Sequence, residues 1–203
     1  MNTSLTKSLW LLGFSIVLCC GLFPLVIWSV GQLLFYHQAN GSLIYQLPHD
    51  AVASELIAQS FSRPEYFHPR PSATDYNTTS SSASNLAPTN PALRQRIVNT
   101  LARLAKDGIT AKEGPIPADA VMASDSGLDP WISLDYANRQ LDRVSQRWAI
   151  LLDKPVGVIR ADVTRLLQEQ THSPLGGLAG TPIVNVMILN AHLTTWLHGS
   201  PHE

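Results

Sequence analysis

The residues whose types and spacing come closest to a catalytic pattern are Asp125-Ser126-Gly127. This tripeptide matches the core of an aspartic-protease signature, in which one carboxylate of a pair activates water. It occurs once, and it follows Ser124 where the signature has an apolar residue and precedes Leu128. Asp and Gly are also the residues that favour tight turns. We therefore interpret the tripeptide as a turn.

Nucleotide chemistry is not indicated by the sequence. Neither a G-x-x-x-x-G-K-[ST] nor a G-x-G-x-x-G phosphate loop occurs, and the glycines between Gly176 and Gly180 lack a following lysine. Asp153-Lys154 begins like the Asp-Lys-Thr-Gly phosphorylation motif of transport ATPases, but Pro155 follows it. We expect that this chain does not hydrolyse ATP.

Other catalytic and metal sites are equally hard to find. There is no G-x-S-x-G nucleophile elbow, and we interpret the seven histidines as ordinary surface residues. A membrane-anchored extracytoplasmic hydrolase would need a nucleophile, a base and an orienting group, and no recognisable set is present. We expect no catalytic residue, no bound metal and no cofactor. A free-standing binding module stays open as an alternative, because an apolar pocket cannot be seen in a sequence.

The longest apolar segment of the chain is an uncharged run, Leu9–Tyr36. As a helix it would be roughly 42 Å long, against roughly 30 Å for a hydrocarbon core. Trp10 and Trp28 lie near its ends, where membrane interfaces favour aromatic rings. Pro24 should kink it. The run predicts one transmembrane helix; the alternative, a cleaved signal peptide, has an apolar region of only ~7–15 residues.

The chain carries 14 Lys+Arg and 15 Asp+Glu, and this balance does not favour a nucleic-acid partner.

The distribution of charge suggests an orientation of the predicted helix in the membrane. Lys7 is the only charged side chain before Asp50. By the positive-inside rule we predict a cytoplasmic N-terminus at residues 1–8, a transmembrane helix at 9–36 and an extracytoplasmic domain at 37–203. Both cysteines lie inside the apolar run, so the domain has no disulfide framework.

The pattern of apolar residues after the run predicts an α+β domain. One helix is capped by Asn90, and another is capped by Ser133, with Trp148 inward and Arg143 outward. The predicted elements are a helix at Asp50–Phe61, a Pro-rich loop at Arg63–Pro91, a helix from Pro91, a strand at Pro117–Ser124, a helix from Ser133 to about Ile150, a helix at Asp162–Gln170 and a strand at Ile183–Leu189.

Longer phrases carry a resemblance. They are FSRPEYFHPRPSATDYN (61–77), SNLAPTNPAL (84–93), PADAVMASDSGLDPWIS (117–133) and PLGGLAGTPIVNVMILN (174–190). These phrases occur in this order after a single predicted span. With them, the chain closely resembles the C subunit of the Kdp-type potassium-transporting ATPase, a bacterial and archaeal inner-membrane complex. The resemblance covers nearly the whole chain. Departures from the family pattern occur at Pro69, Ala83, Ala87, Asp125, Trp131 and Ile188.

The resemblance implies a non-catalytic accessory subunit of a high-affinity, ATP-driven potassium uptake complex. In such complexes a channel-like subunit, a P-type ATPase subunit and a very small single-span subunit accompany the C subunit, and the complex handles ATP and potassium. The C subunit is described as assisting assembly and as a catalytic chaperone that raises the ATP affinity of the pump subunit. The implied location is the inner membrane, in contact with lipid, with the C-terminal domain periplasmic or extracellular.

The motif phrases supply polar residues in rigid, Pro-rich surroundings, which suits a docking surface that needs little ordering. Arg70 could bind a carboxylate or carbonyls bidentately with its guanidinium. The alternative is that these side chains merely hold the backbone of their own loop. The candidate interaction residues are Arg70, Ser72, Tyr76, Asn85, Asn90 and Asp129.

Overall fold

The computed structural model describes residues 3–47, 50–178 and 180–198. The chain forms two compact units, Met1–Leu43 and Ile44–Glu203. The first is helical and apolar, whereas the second mixes helices and strands. An apolar N-terminal helix and an α+β content are what the sequence predicts.

The N-terminal unit contains one long helical run, Thr3–Leu34, which is long and apolar enough to cross a membrane. Helix α1 covers Thr3–Ile16, a π-helical stretch covers Val17–Leu22, and α2 covers Phe23–Leu34. Pro24 lies in the first turn of α2, directly after the π-helical stretch. Proline lacks an N–H and crowds the preceding turn, so a local change of helical pitch accommodates it.

Short elements connect this run to the second unit. Helix α3 covers Tyr36–Ala39, and strands β1 (Leu43–Leu47) and β2 (Asp50–Ser54) form a two-stranded sheet. The remaining elements of the second unit are α4 (Pro91–Lys106), a 3₁₀ turn (Ala111–Glu113), α5 (Ala118–Val121), β3 (Trp131–Ser133), α6 (Leu134–Leu152), α7 (Val156–Glu169), β4 (Thr171–His172), a 3₁₀ turn (Pro174–Gly177), β5 (Ile183–Asn185) and α8 (Val186–His198).

An antiparallel sheet in the order β3-β5-β4 forms one side of the core. Val184 in the central strand lies opposite Ile132 on β3 and opposite Thr171 on β4. Helices α6 and α7 form an antiparallel hairpin, and Asp153 ends α6 in the left-handed conformation. The fully buried side chains include Trp148 and Val144 from α6, Ile159, Val163 and Leu167 from α7, and Leu189 and Leu193 from α8. Burial of these apolar surfaces is the main source of stability.

Two of the predicted helix starts, those capped by Asn90 and Ser133, are confirmed. The side chain of Asn90 accepts a hydrogen bond from the Ala92 N–H at 2.9 Å, and Ser133 Oγ accepts one from the Tyr136 N–H at 3.0 Å. Both satisfy backbone donors that have no partner within the helix. The predicted start of the next helix is wrong, because α7 begins at Val156, six residues before Asp162.

The predicted helix at Asp50–Phe61 is wrong. Its first residues form β2, and Ser54 Oγ then accepts a hydrogen bond from the Leu56 N–H at 3.1 Å. Ala58 is fully buried and donates its N–H to the carbonyl of Leu128 at 2.8 Å. A hydrogen bond to a distant segment replaces the local one that a helix would have provided.

Two strand predictions also need correction. Pro117–Ser124 contains helix α5 and not a strand. The strand predicted at Ile183–Leu189 ends at Asn185, because the Asn185 side-chain oxygen accepts hydrogen bonds from the N–H groups of Met187 and Ile188 and so starts α8. Asparagine at this position is a strong helix cap.

Candidate functional site

The first resembling phrase, residues 61–77, forms an irregular segment that we call the motif loop. Its centre is Phe67, which is fully buried. The Asn190 side chain donates to the Phe67 carbonyl and accepts from the Phe67 N–H, both at 2.9 Å. A buried amide from α8 thus satisfies both backbone groups of Phe67, as a neighbouring strand would.

Gln140 on α6 repeats this arrangement one residue further along. Its oxygen accepts from the His68 N–H at 2.7 Å, and its nitrogen donates to the His68 carbonyl at 3.0 Å. Gln140 is itself fully buried. Two consecutive residues of the motif loop are therefore held by side-chain amides from two different helices.

The beginning of the loop is held by Arg143 and Trp148 of α6. Arg143 donates to the carbonyls of Pro64 and Tyr66, at 2.5 and 3.0 Å, and to Gln140 Oε1 at 2.8 Å. Trp148 Nε1 donates to the Glu65 carbonyl at 2.8 Å. The prediction that Arg143 points outward is wrong, because loop carbonyls cover this guanidinium. Burial lowers the pKa of Arg143.

The imidazole of His68 is partly buried near the Arg143 guanidinium. Its Nε2 donates to the Arg63 carbonyl at 3.2 Å, and its Nδ1 lies 3.9 Å from a carboxylate oxygen of Asp107. Burial, followed by the nearby Arg143 cation, lowers the pKa of His68 to about 4. The imidazole is therefore neutral at pH 7.

The end of the motif loop carries the predicted residue Arg70. Its guanidinium lies 3.4 Å from an Asp129 carboxylate oxygen, and the other oxygen of Asp129 accepts from the Trp131 N–H at 3.0 Å. The Tyr76 hydroxyl donates to the Arg70 carbonyl at 2.6 Å. Burial raises the pKa of Tyr76 to about 12, so its hydroxyl stays protonated as this bond requires.

Ser72 connects the loop to the Asp125-Ser126-Gly127 turn. Its hydroxyl donates to the Gly127 carbonyl at 2.6 Å and accepts from the N–H groups of Thr74 and Tyr76, at 3.1 and 3.0 Å. The Gly127 N–H donates to the Ser124 carbonyl at 3.3 Å, as in the predicted turn. Gly127 has φ +71°, and a Cβ there would lie 2.6 Å from Thr74 Oγ1. Only glycine permits this packing.

The structure brings together four of the six candidate residues, Arg70, Ser72, Tyr76 and Asp129. Asn85 lies apart, at φ +50°, and its amide donates to the Ala83 carbonyl at 3.3 Å. Asn90 caps α4. All six make contacts within the domain, and their role towards a partner stays a prediction.

Sequence reasoning missed the residues that hold the loop, namely Gln140, Arg143, Trp148 and Asn190. One signal was available. Gln140 and Asn190 lie one helical turn from the buried Val144 and Leu193, and so share an apolar helix face with them. A polar residue on an apolar face requires a buried hydrogen-bond partner, here the backbone of an irregular segment.

A groove of about 980 Å³ lies beside the four clustered residues, within the second unit. Arg70 and Asp129 line it, together with the half-buried Trp131. Asp119, from α5, also lines it and accepts from the Ser133 N–H at 2.6 Å. Among the residues that the structure describes, no group of three His, Cys, Asp or Glu side chains could hold a metal ion.

Comparison with known proteins shows which family the chain resembles. The model of the family described as "K+-transporting ATPase, c chain" matches residues 5–195. A potassium-transporting ATPase KdpC subunit of Serratia proteamaculans is 43% identical over 174 residues, covering 84% of this chain and 87% of the relative.

Two further KdpC subunits extend the match. That of Cronobacter sakazakii is 42% identical over 93% of this chain and 96% of its own length, and that of Geobacter sulfurreducens is 40% identical over 88% and 90%. The match includes both the apolar helix and the α+β unit. This chain belongs to the KdpC family, the c chain of the K+-transporting ATPase.

Proposed function

We propose that this chain is the non-catalytic accessory subunit of an ATP-driven potassium uptake complex. In this role it supports assembly of the channel-like, ATP-hydrolysing and small single-span subunits, and it raises the ATP affinity of the pump subunit. The observation that carries the proposal is the family match over residues 5–195, which includes both the apolar helix and the folded unit.

The proposed topology places residues 1–8 in the cytoplasm, the span at 9–36 and residues 37–203 outside the cytoplasm. Lys7 is the positive charge nearest to the span, which supports this orientation. ATP is cytoplasmic, so an effect on ATP affinity has to pass through the span or through coupled conformations of the partner subunits.

Two parts of the chain would attach it to the complex. Within the span, a Cβ added at Gly13 or Gly21 would meet no atom of the part of the chain that the structure describes within 4 Å. Glycines on an open helix surface let a neighbouring helix approach closely in lipid. The chain would therefore contact other membrane helices through this run.

The second attachment is the end of the motif loop. The contact of Arg70 with Asp129, at 3.4 Å, engages only one terminal nitrogen of the guanidinium among the described residues, and the Arg70 side chain is 27% exposed. A guanidinium can bind a carboxylate through two parallel hydrogen bonds. Arg70 thus keeps donor capacity for a partner while Ser72 and Tyr76 fix the loop that presents it.

The ATP dependence of the assembled complex tests this function. We expect the apparent KM for ATP of potassium-stimulated hydrolysis to rise by roughly fivefold or more when this chain is left out, and to recover when the full chain is added back. The purified chain alone should hydrolyse no ATP, because it lacks both phosphate-loop and phosphorylation motifs. An unchanged KM together with intact assembly of the other subunits would refute the proposal.

Topology has a separate test. A reporter that is active only outside the cytoplasm should be active when it is fused after Glu203, and a cytoplasmic reporter at the same point should be inactive. The opposite pattern would reverse the orientation and allow direct contact between ATP and the folded unit.

A further inference from the structure

The groove beside Arg70 combines apolar walls with an excess of negative charge. Its apolar lining includes Trp131, Ile183 and Met122, and Met122 is 36% exposed. Among the described residues, three carboxylates, those of Asp119, Asp129 and Asp135, line the groove together with one guanidinium, that of Arg70. Its charge therefore favours a cationic ligand.

Backbone pairing at this edge of the sheet is blocked. Strand β3 is an edge strand of the three-stranded sheet, so its outward N–H groups would ordinarily be free to donate hydrogen bonds to an added strand. Here Asp129 Oδ1 accepts the Trp131 N–H at 3.0 Å, and Asp119 Oδ2 accepts the Ser133 N–H at 2.6 Å. A ligand in the groove must therefore be recognised by side chains and not by strand addition.

The side chains present suit a cation next to an apolar group. The indole of Trp131 is the best ring for attracting an ammonium or guanidinium ion. Asp135 is exposed in the first turn of α6, and its carboxylate makes no ion pair among the described residues. Tryptophan and an unpaired carboxylate in one groove fit a Lys or Arg side chain, and the apolar walls fit a residue adjacent to it.

We propose that this groove binds a cationic, partly apolar segment of another subunit of the complex, by placing a Lys or Arg side chain between Trp131 and the groove carboxylates. The proposal rests on the function proposed above, because it takes the segment to come from the same complex. The groove would then be a second docking surface next to Arg70. The groove would bind a cation, whereas Arg70 would bind an acidic or carbonyl group.

Photo-crosslinking in the assembled complex tests the groove. The full chain would carry p-benzoyl-phenylalanine in place of Met122, whose side chain lines the groove and makes no hydrogen bond among the described residues. After irradiation of native membranes, mass spectrometry would identify the linked segment. We expect one segment of another subunit that contains Lys or Arg beside an apolar residue.

Two charge variants at the groove and one matched control outside it test the charge preference. Asn138→Lys and Asp135→Lys each add positive charge at the groove and should lower the crosslink yield by roughly tenfold. Glu169→Lys makes the same charge change as Asp135→Lys at an exposed site on α7 outside the groove and should leave the yield within about twofold. Circular dichroism would verify that each variant is folded.

Several outcomes would overturn the inference: linkage to an acidic segment, to lipid or to a second copy of this chain, no linkage, or equal yields from all variants. If the chain still co-purifies with the complex in those cases, the proposed function stands and the groove assignment alone fails. If the chain does not co-purify at all, the proposed function itself fails.

Discussion

Two segments of the folded unit lack regular strands and are rich in Pro or Gly, yet they are held in different ways. The motif loop, residues 61–77, buries Phe67 completely and bonds its backbone to side chains of α6 and α8. The leucine loop, residues 174–178, exposes 75% of Leu175 and 92% of Leu178. Its own turn bonds are short-range, from Gly176 N–H to Ser173 and from Leu178 N–H to Leu175.

The difference shows that composition does not decide whether an irregular segment is fixed. Both segments contain backbone groups that cannot join a helix or sheet, and such groups need partners when they are buried. In the motif loop buried amides and a guanidinium supply them. In the leucine loop, water can supply the hydrogen-bond partners of the backbone. The apolar side chains of this loop are exposed to solvent.

The largest expected effect comes from removing a buried partner. Asn190→Ala leaves the buried N–H and carbonyl of Phe67 without hydrogen bonds, so the free energy of unfolding should fall by about 4 kcal/mol. Urea unfolding of the full chain in detergent, followed by Trp fluorescence, measures this. Leu178→Ser in the leucine loop is the control and should change stability by less than about 0.5 kcal/mol. Equal losses would remove the distinction between the two loops.

A pair of glycines sharpens the same comparison, because both have positive φ. Gly127→Ala adds backbone strain and places Cβ against Thr74 Oγ1, so we expect a loss of about 3 kcal/mol. Gly176→Ala adds strain at φ +65°, but its Cβ meets no atom of the described residues within 4 Å, so its loss should be about 1 kcal/mol. The same urea titration distinguishes them, and a Gly176 loss as large as that of Gly127 would contradict the packing argument.

Two arginines on α6 give the next effect. Arg143→Lys cannot reach all three acceptors that the guanidinium contacts, and it should destabilise the domain by about 2 kcal/mol. Arg147→Lys, one turn further on and exposed, should change stability by less than about 0.5 kcal/mol. Thermal unfolding of the two variants would show whether the loop contacts of Arg143 matter, and indistinguishable melting curves would mean that they do not.

The smallest effect concerns pH and His68. Its pKa is about 4 in the folded chain and about 6.5 when unfolded, so between these values the unfolded state binds more protons. The contribution of the His68 imidazole to the free energy of unfolding is therefore present above pH 6.5 and is lost as the pH falls towards 4. We expect wild type to lose about 1 kcal/mol more than His68→Gln between pH 7 and pH 5.5. Parallel pH dependence in the two proteins would show that the imidazole of His68 is not held neutral by the fold.

The features predicted correctly from sequence depend on neighbouring residues. Asn90 and Ser133 cap helices through bonds that reach only two or three positions along the chain. The turn at Gly127 is local in the same way. Such signals can be read in order from the sequence.

The errors share the opposite cause. Arg143 was predicted to face solvent because α6 alone gave its context, whereas its acceptors, the carbonyls of Pro64 and Tyr66, lie almost eighty positions earlier. The helix predicted at Asp50–Phe61 fails for a similar reason, since Ala58 bonds to Leu128. Tertiary contacts of this range override local propensity. Arg70 and Asp129, two of the predicted interaction residues, lie 3.4 Å apart in the fold. Their role towards a partner stays a prediction.

Membership of a potassium-transporting ATPase complex can be measured in the cell. The tagged full chain would be purified from its native membrane, and every co-purifying protein would be quantified by mass spectrometry. We expect a channel-like potassium-binding subunit and a P-type ATPase subunit in constant proportion to this chain. Recovery of the chain alone, or with unrelated proteins and neither of those subunits, would show that it does not belong to such a complex.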